Sequence, residues 1–200
     1  TLPEIRQTGA TGIVTALHHI PTGEIWSIDE IMKRKNLIES NGLRWSVVES
    51  LSVHENIKKQ KGNYAKLIDN YKQSMRNLAR CGIDTICYNF MPILDWSRTN
   101  LQVSYADGSI TTQFVFTAFA AFDLYILKRT NAITNYSETQ IESARTYYNS
   151  LSNEQKDELT QTILLGLPGS LESYTLPQFK SAIEEYASID ATTLRQHLAY

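Results

Sequence analysis

The sequence repeats one unit, an apolar segment followed by an amphipathic helix that ends at a glycine, and this repeat constrains the fold most. Apolar segments and helical patterns alternate at residues 13–17, 28–40, 44–50, 64–80 and 83–90. The first segment is apolar on both faces, which is typical of a parallel strand buried between two layers. Gly42 and Gly82 end the two helices just before the next segment, as in the short helix-to-strand loops of barrels and doubly wound sheets. The repeat predicts a parallel α/β fold.

Serine and threonine residues mark where helices begin. Each is followed three positions later by a glutamate or glutamine, the spacing of a capping box. The pairs are Ser27 with Glu30, Ser152 with Gln155, and Thr175 with Gln178, and Ser137 followed by Glu138 opens a further helix.

The strand–helix repeat stops after Pro92. Residues 101–114 alternate between apolar and polar side chains around Asp107-Gly108, a strong signal for a β-hairpin. The pattern is almost wholly helical from residue 116 to residue 200. An antiparallel hairpin within a strand–helix series predicts an insertion, and insertions in barrels usually build the active-site face.

Composition excludes several classes of protein. The chain is 42% hydrophobic and 20% charged, with a net charge of -2, so neither a nucleic-acid partner nor a membrane surface is expected. No apolar stretch approaches the ~20 residues of a membrane-spanning helix, and residue 1 is not followed by a signal-peptide pattern. We therefore expect a cytoplasmic protein in which Cys81 and Cys87 are reduced, half-buried residues.

Polar residues follow each predicted strand at the end where parallel α/β proteins place their chemistry. His18 and His19 follow the first strand, Glu49 ends the second, and Asn89 ends the third, with Asp95 and Arg98 close behind. Imidazole, carboxylate, amide and guanidinium groups suit a sugar-acid ligand, and arginine is a natural bidentate partner of a carboxylate. The same residues also fit surface histidines, a salt-bridged Glu49 and a turn-capping Asp95, so the residues alone leave both interpretations open.

Long stretches of the chain resemble the N-terminal portion of the mannonate dehydratase family, in the family's order and spacing. The matching segments are residues 9–21 with Gly23, Glu24 and Trp26; residues 45–50 with His54-Glu55; residues 87–92 with Leu94-Asp95-Trp96 and Arg98-Thr99; residues 119–122; and residues 166–169 with 174–176.

The resemblance implies a lyase that dehydrates D-mannonate to 2-keto-3-deoxy-D-gluconate in glucuronate catabolism, a part of carbohydrate metabolism. It implies a xylose-isomerase-like TIM barrel, present here in part. Residues 1–100 would form the first strand–helix units, residues 101–135 the inserted hairpin and helix, and residues 136–200 a helical segment that leads back to the barrel. The C-terminal half of the barrel would be absent.

The resemblance also implies a divalent metal, Mn²⁺ or Fe²⁺, held by ligands beyond Tyr200, with none in this chain. The residues that match the family at strand ends are expected to position the substrate or support the groups that do: His18, His19, Glu49, Asn89, Asp95 and Arg98. The general acid and base are not assigned. We expect a homo-oligomer, taken to be a dimer, and no activity from these 200 residues alone.

Two other interpretations stay open at this point. One is another metal-dependent sugar isomerase or epimerase of the same barrel superfamily, which would also need strand-end histidines and carboxylates. The other is a fragment that binds a ligand without turning it over, because the chain contains no recognisable complete metal site.

Overall fold

A computed structural model describes residues 1–94, 96–165 and 174–200. The chain divides into two compact units, which we call the first unit (Thr1–Pro92 with Ser188–Tyr200) and the second unit (Ile93–Ala187). Asp95 and residues 166–169, two parts of the family resemblance, lie outside the described residues.

The described elements follow one another in chain order. The elements before residue 90 are α1 (Leu2–Gln7), β1 (Gly12–Thr15), α2 (Ile28–Glu39), β2 (Arg44–Val48), α3 (Glu55–Lys59) and α4 (Tyr64–Arg80). After them come β3 (Asn100–Ser104), β4 (Ile110–Gln113), α5 (Phe116–Ala121), a π-helix (Phe122–Leu127), a 3₁₀ helix (Ala132–Asn135), α6 (Glu138–Ser150), α7 (Asn153–Leu164), α8 (Leu176–Glu185) and α9 (Ala191–Ala199). The chain is therefore a mixed α/β protein, as the sequence predicts. No described helix is both long and apolar enough to cross a membrane.

The sheet of the first unit is parallel. β1 pairs with β2 from Gly12↔Arg44 to Thr15↔Val48, with a register shift after Ile13. A core cluster packs around these strands and α2 and α4: Ala16, Leu17, Trp26, Ile31, Ile38, Leu43, Trp45, Val48, Leu51, Leu78, Cys81 and Ile83. The two helices predicted at 28–40 and 64–80 are confirmed, and each buries its apolar stripe in this cluster.

The third predicted strand, residues 83–90, is wrong in length. One parallel bridge joins Val48 to Ile86, with Val48 N–H donating to the Thr85 carbonyl (3.0 Å) and Cys87 N–H to the Val48 carbonyl (2.9 Å). The next bond of a regular parallel ladder would come from Ser50 N–H. Here Leu51 N–H donates to the Cys87 carbonyl instead, at 3.1 Å. The ladder slips by one residue, so the segment lies beside β2 without forming a full strand.

The short helix α3 was not predicted, because five residues are too few to show a helical period. His54 is its N-cap residue, and His54 Nδ1 accepts a hydrogen bond from Asn56 N–H at 3.0 Å. α9 packs on α3 in the same unit, where His197 Nδ1 lies 2.7 Å from the carbonyl oxygen of Lys58.

The predicted hairpin is confirmed in the second unit. β3 and β4 are antiparallel, with Val103 opposite Thr111 and Ser104 opposite Ile110. The turn uses Gly108 at a φ of +84°, and Asp107 Oδ1 accepts from Ser109 N–H at 2.9 Å. Both strands are almost entirely exposed.

Three helices of the second unit, α6, α7 and α8, begin where the capping residues predict. Complete capping boxes join Ser137 with Gln140, Ser152 with Gln155, and Thr175 with Gln178. The main core of this unit contains Ala118, Phe122, Leu127, Leu159, Ile163, Leu164 and Phe179.

Candidate functional site

The carboxyl ends of the parallel segments meet at one edge of the sheet in the first unit. Thr15 pairs with Val48, and Glu49 N–H donates to the Thr15 carbonyl at 3.2 Å, so β1 and β2 end side by side. The Val48↔Ile86 bridge places the third segment on the other side of β2. The chain therefore leaves the three segments at the same edge, which is where α/β proteins bind ligands.

Four of the six predicted site residues follow these ends. His18 and His19 lie just past β1, Glu49 directly follows β2, and Asn89 lies three residues past the bridge at Ile86. The first three are exposed and Asn89 is half-buried. The fold thus places four polar side chains where the sequence predicts them, and their role as a site remains a prediction.

His19 has a specific partner that the sequence did not predict. Its Nε2 lies 3.1 Å from Glu30 Oε2, on the first turn of α2. Hydrogen bonds from Lys33 and then from His19 hold the pKa of Glu30 below its ordinary value. Because the ionised carboxylate only accepts hydrogen bonds, Nε2 of His19 is the donor. This contact fixes the imidazole ring and leaves its Nδ1 for another partner.

The contact also corrects the predicted capping box at Ser27. Ser27 Oγ accepts from Glu30 N–H at 3.3 Å, which is half of the box. The Glu30 carboxylate binds His19 and Lys33 rather than returning to the Ser27 backbone. The Ser-x-x-Glu spacing does not reveal that Glu30 binds His19 and Lys33, since both partners lie outside the capping box.

The two remaining predicted residues are Arg98 and Asp95. Arg98 belongs to the second unit, where its Nη2 donates to the Leu165 carbonyl at 3.2 Å. Asp95 lies outside the described residues. The neighbouring Trp96 is 71% exposed, so its ring is available to a ligand or to further protein.

One face of β1 is partly exposed in the first unit. Val48 is fully buried, whereas Val14 is 54% exposed although it lies in the middle of β1. Cys87, in the third segment, is also exposed, whereas Cys81 is buried. The prediction that both cysteines are half-buried is therefore wrong. Both are free thiols. A parallel sheet is ordinarily covered on both faces. The described residues leave the Val14 side of β1 partly open.

The described residues do not by themselves make a metal centre. Within residues 1–94, 96–165 and 174–200, no three histidine, cysteine, aspartate or glutamate side chains lie together in a way that could hold an ion. His19 contacts the Glu30 carboxylate, and the same carboxylate pairs with Lys33. This donor set does not fit a divalent metal.

Comparisons with known proteins point to one family. Residues 1–200 match the family model described as D-mannonate dehydratase (UxuA). The chain is 57% identical over 198 residues to a mannonate dehydratase of Marinomonas sp. (strain MWYL1), covering 99% of this chain and 51% of that protein. It is 54% identical over 200 residues to a mannonate dehydratase of Chromohalobacter salexigens, covering all of this chain and 51% of that protein.

A solved structure agrees with these matches. The crystal structure of mannonate dehydratase from Streptococcus suis serotype 2 superposes with a TM-score of 0.55 at 31% sequence identity, covering 91% of this chain and 47% of that one. The chain thus spans about half the length of the curated relatives it matches.

Proposed function

The chain belongs to the D-mannonate dehydratase family, and we propose that the complete protein containing it converts D-mannonate to 2-keto-3-deoxy-D-gluconate. The match of the family model to all 200 residues carries this proposal. The strand-end placement of His18, His19, Glu49 and Asn89 supports it, because a polyhydroxy acid needs donors and acceptors converging at one edge of the sheet.

The reaction is an elimination of water. The C2 hydrogen leaves as a proton and the C3 hydroxyl leaves as water, which gives an enol; the enol takes a proton at C3 and becomes the 2-keto-3-deoxy acid. Such a reaction needs a base at C2 and an acid at the C3 oxygen. The contact between His19 and the Glu30 carboxylate orients the imidazole ring, which supports a substrate-positioning role for His19.

We assign the predicted strand-end residues to substrate positioning and to the groups that support it: His18, His19, Glu49, Asn89, Asp95 and Arg98. An arginine such as Arg98 suits the substrate carboxylate because its planar fork binds two oxygens at once. Asn89 provides both a donor and an acceptor, which suits a sugar hydroxyl.

The same proposal includes a divalent metal, Mn²⁺ or Fe²⁺, with ligands outside the 200 residues. The resemblance of the sequence to the family supports ligands beyond Tyr200. No step of the reaction is assigned to the metal on this chain, and we expect these residues alone to be inactive.

We propose that the first unit is the start of a TIM barrel, that residues 101–135 are the insertion, and that residues 136–200 lead back to the barrel. The exposure of Val14 supports this fold, because further strands would cover the open face of β1. We further propose a cytoplasmic homodimer. The two free thiols support the reducing compartment.

A substrate panel tests the function. The complete protein, loaded with Mn²⁺, is incubated with D-mannonate, with its C2 and C3 epimers, and with aldose sugars. We expect a 2-keto-3-deoxy acid from D-mannonate and no conversion of the aldoses. Interconversion of aldoses and ketoses, without loss of water, would instead identify a sugar isomerase.

A further inference from the structure

Side chains on one polar face of α4 bind the backbone of the loop that carries His18 and His19. We call residues 16–27, between β1 and α2, the histidine loop. The anchor face consists of Asn70, Ser74 and Asn77, which are spaced by four and three residues and therefore lie on one side of the helix.

Each residue of the anchor face binds a backbone atom of the histidine loop. Asn70 Nδ2 donates to the Gly23 carbonyl at 2.9 Å. Ser74 Oγ accepts from Trp26 N–H at 3.0 Å, and Asn77 Nδ2 donates to the Trp26 carbonyl at 2.8 Å. Both backbone polar groups of Trp26 are thus bound by side chains of α4, while its indole is buried in the core.

The anchor face is itself linked together. Ser74 Oγ donates to the Asn70 carbonyl at 3.0 Å, and Gln73 Nε2 donates to Asn77 Oδ1 at 2.9 Å. Ser74 is fully buried and Asn77 nearly so. A fully satisfied buried polar network specifies one arrangement of the chain, whereas an apolar contact tolerates sliding.

Close packing at Gly23 adds to this fit. Gly23 has a φ of +92°, and a Cβ there would lie 2.7 Å from Leu67 Cδ2 of the same helix and 3.1 Å from His54 Cδ2. The loop backbone therefore approaches α4 closely where Asn70 binds it.

We propose that Asn70, Ser74 and Asn77 are positioning residues for His18 and His19. β1 fixes one end of the histidine loop and the anchor face fixes the other, so the path between them sets where the two imidazoles lie. The 3.1 Å contact of His19 with Glu30 depends on the same path, since Glu30 lies on α2, whose N-cap residue, Ser27, directly follows Trp26. This inference rests on the proposed function. Small displacements of reacting groups lower turnover strongly, by up to about a hundredfold for ~1 Å.

Ser74→Ala and Asn70→Ala in the complete protein test the proposal. Ser74→Ala removes the acceptor for Trp26 N–H. Asn70→Ala removes only the bond to the half-exposed Gly23. Asn70→Ala is therefore the variant to use should Ser74→Ala not fold. Leu78→Ala is the matched control: Leu78 is fully buried on the same helix, and truncating it removes packing without removing any of the three bonds to the loop.

Two readouts separate positioning from stability. Hydrogen exchange of the backbone amides of residues 18–26 should rise at least about tenfold in Ser74→Ala and less in Leu78→Ala. For D-mannonate dehydration, kcat/KM per folded molecule should fall at least about tenfold in Ser74→Ala, with a change in KM, and stay near wild type in Leu78→Ala. A merely structural role would lower the amount of folded protein and leave KM unchanged.

The proposal is overturned when loop exchange in Ser74→Ala and Asn70→Ala equals that of wild type, or when Leu78→Ala reproduces both effects. Normal kinetics in a variant with a loosened loop would overturn it as well. A wild-type protein inactive on D-mannonate would refute the proposed function and the catalytic consequence with it, whereas loop exchange would still decide whether the anchor face holds the loop.

Discussion

Arg129 binds the buried carboxylate of Asp123 through two parallel contacts, 2.9 Å from Nε to Oδ1 and 2.7 Å from Nη2 to Oδ2. Asp123 lies in the π-helix of the second unit, and its side chain is 4% exposed. Tyr136 completes the arrangement, since its hydroxyl donates to Asp123 Oδ2 at 2.8 Å. The cluster ties the π-helix to the segment that leads into α6.

Arg129→Ala should destabilise the second unit by about 2 kcal/mol, because it leaves a buried carboxylate without its cation; the value is reduced from the figure for fully buried pairs because Arg129 is 30% exposed. Urea unfolding followed by circular dichroism measures the change. Arg145→Ala, which removes exposed contacts with Glu142 and Tyr125, is the control and should change the unfolding midpoint much less. Equal effects of the two variants would show that the Arg129–Asp123 pair contributes no more to stability than an exposed ion pair.

The phenol of Tyr136 should ionise at a higher pH than an ordinary tyrosine. Burial first, and then its hydrogen bond to Asp123, raise its pKa from the ordinary 10.0 to about 12. Because the folded pKa is the higher one, the stabilisation from the protonated phenol is complete below pH 10, declines as pH rises towards 12, and is lost above it. With ¹³C-labelled tyrosine side chains, one late-titrating resonance should vanish in Tyr136→Phe and persist in Tyr71→Phe, the other phenol with a pKa of about 12. A Tyr136 resonance that titrates near 10 would contradict this.

Ser152 should contribute about 1 kcal/mol to stability as the N-cap of α7. Its hydroxyl accepts from Gln155 N–H at 3.3 Å, and Gln155 Oε1 accepts from Ser152 N–H at 2.9 Å. Ser152→Ala removes the first bond, whereas Ser152→Asn keeps an acceptor. The thermal midpoint of Ser152→Ala should therefore drop clearly below that of Ser152→Asn. Coincident melting curves would exclude a capping role.

The local features of this fold could be predicted from the sequence, whereas those set by distant contacts could not. Asp107-Gly108 specifies its hairpin and Ser152 its helix start, since turn and cap chemistry involve near neighbours. The third strand failed because the ladder slips at Leu51, a property of the pairing with β2 rather than of residues 83–90.

In the candidate site, too, local features could be predicted from the sequence and tertiary contacts could not. The order of strands was enough to place His19 and Glu49 at one edge of the sheet. Glu30 as the partner of His19 was hidden, because the capping-box spacing predicts a different contact for that carboxylate. The bonds from Ser74 to the histidine loop were also hidden, since a serine in an amphipathic helix gives no sign of its tertiary partner.

His19→Ala and Asn89→Ala should each lower kcat/KM for D-mannonate in the complete protein at least about tenfold, because each removes a polar group from the strand-end edge. His197→Ala is a histidine control: His197, in α9, contacts the Lys58 carbonyl and is not one of the strand-end residues, so this variant should retain wild-type kinetics. Unchanged kinetics in His19→Ala and Asn89→Ala would remove both residues from the site.

Proton NMR of D-mannonate incubated in D₂O with the complete, Mn²⁺-loaded protein tests the central claim most directly. Dehydration followed by ketonisation must place one solvent-derived deuterium at C3, so we predict a 2-keto-3-deoxy acid with a monodeuterated C3 methylene. Unchanged D-mannonate, or a product that retains its C3 hydroxyl, would contradict the proposal that the complete protein is a mannonate dehydratase.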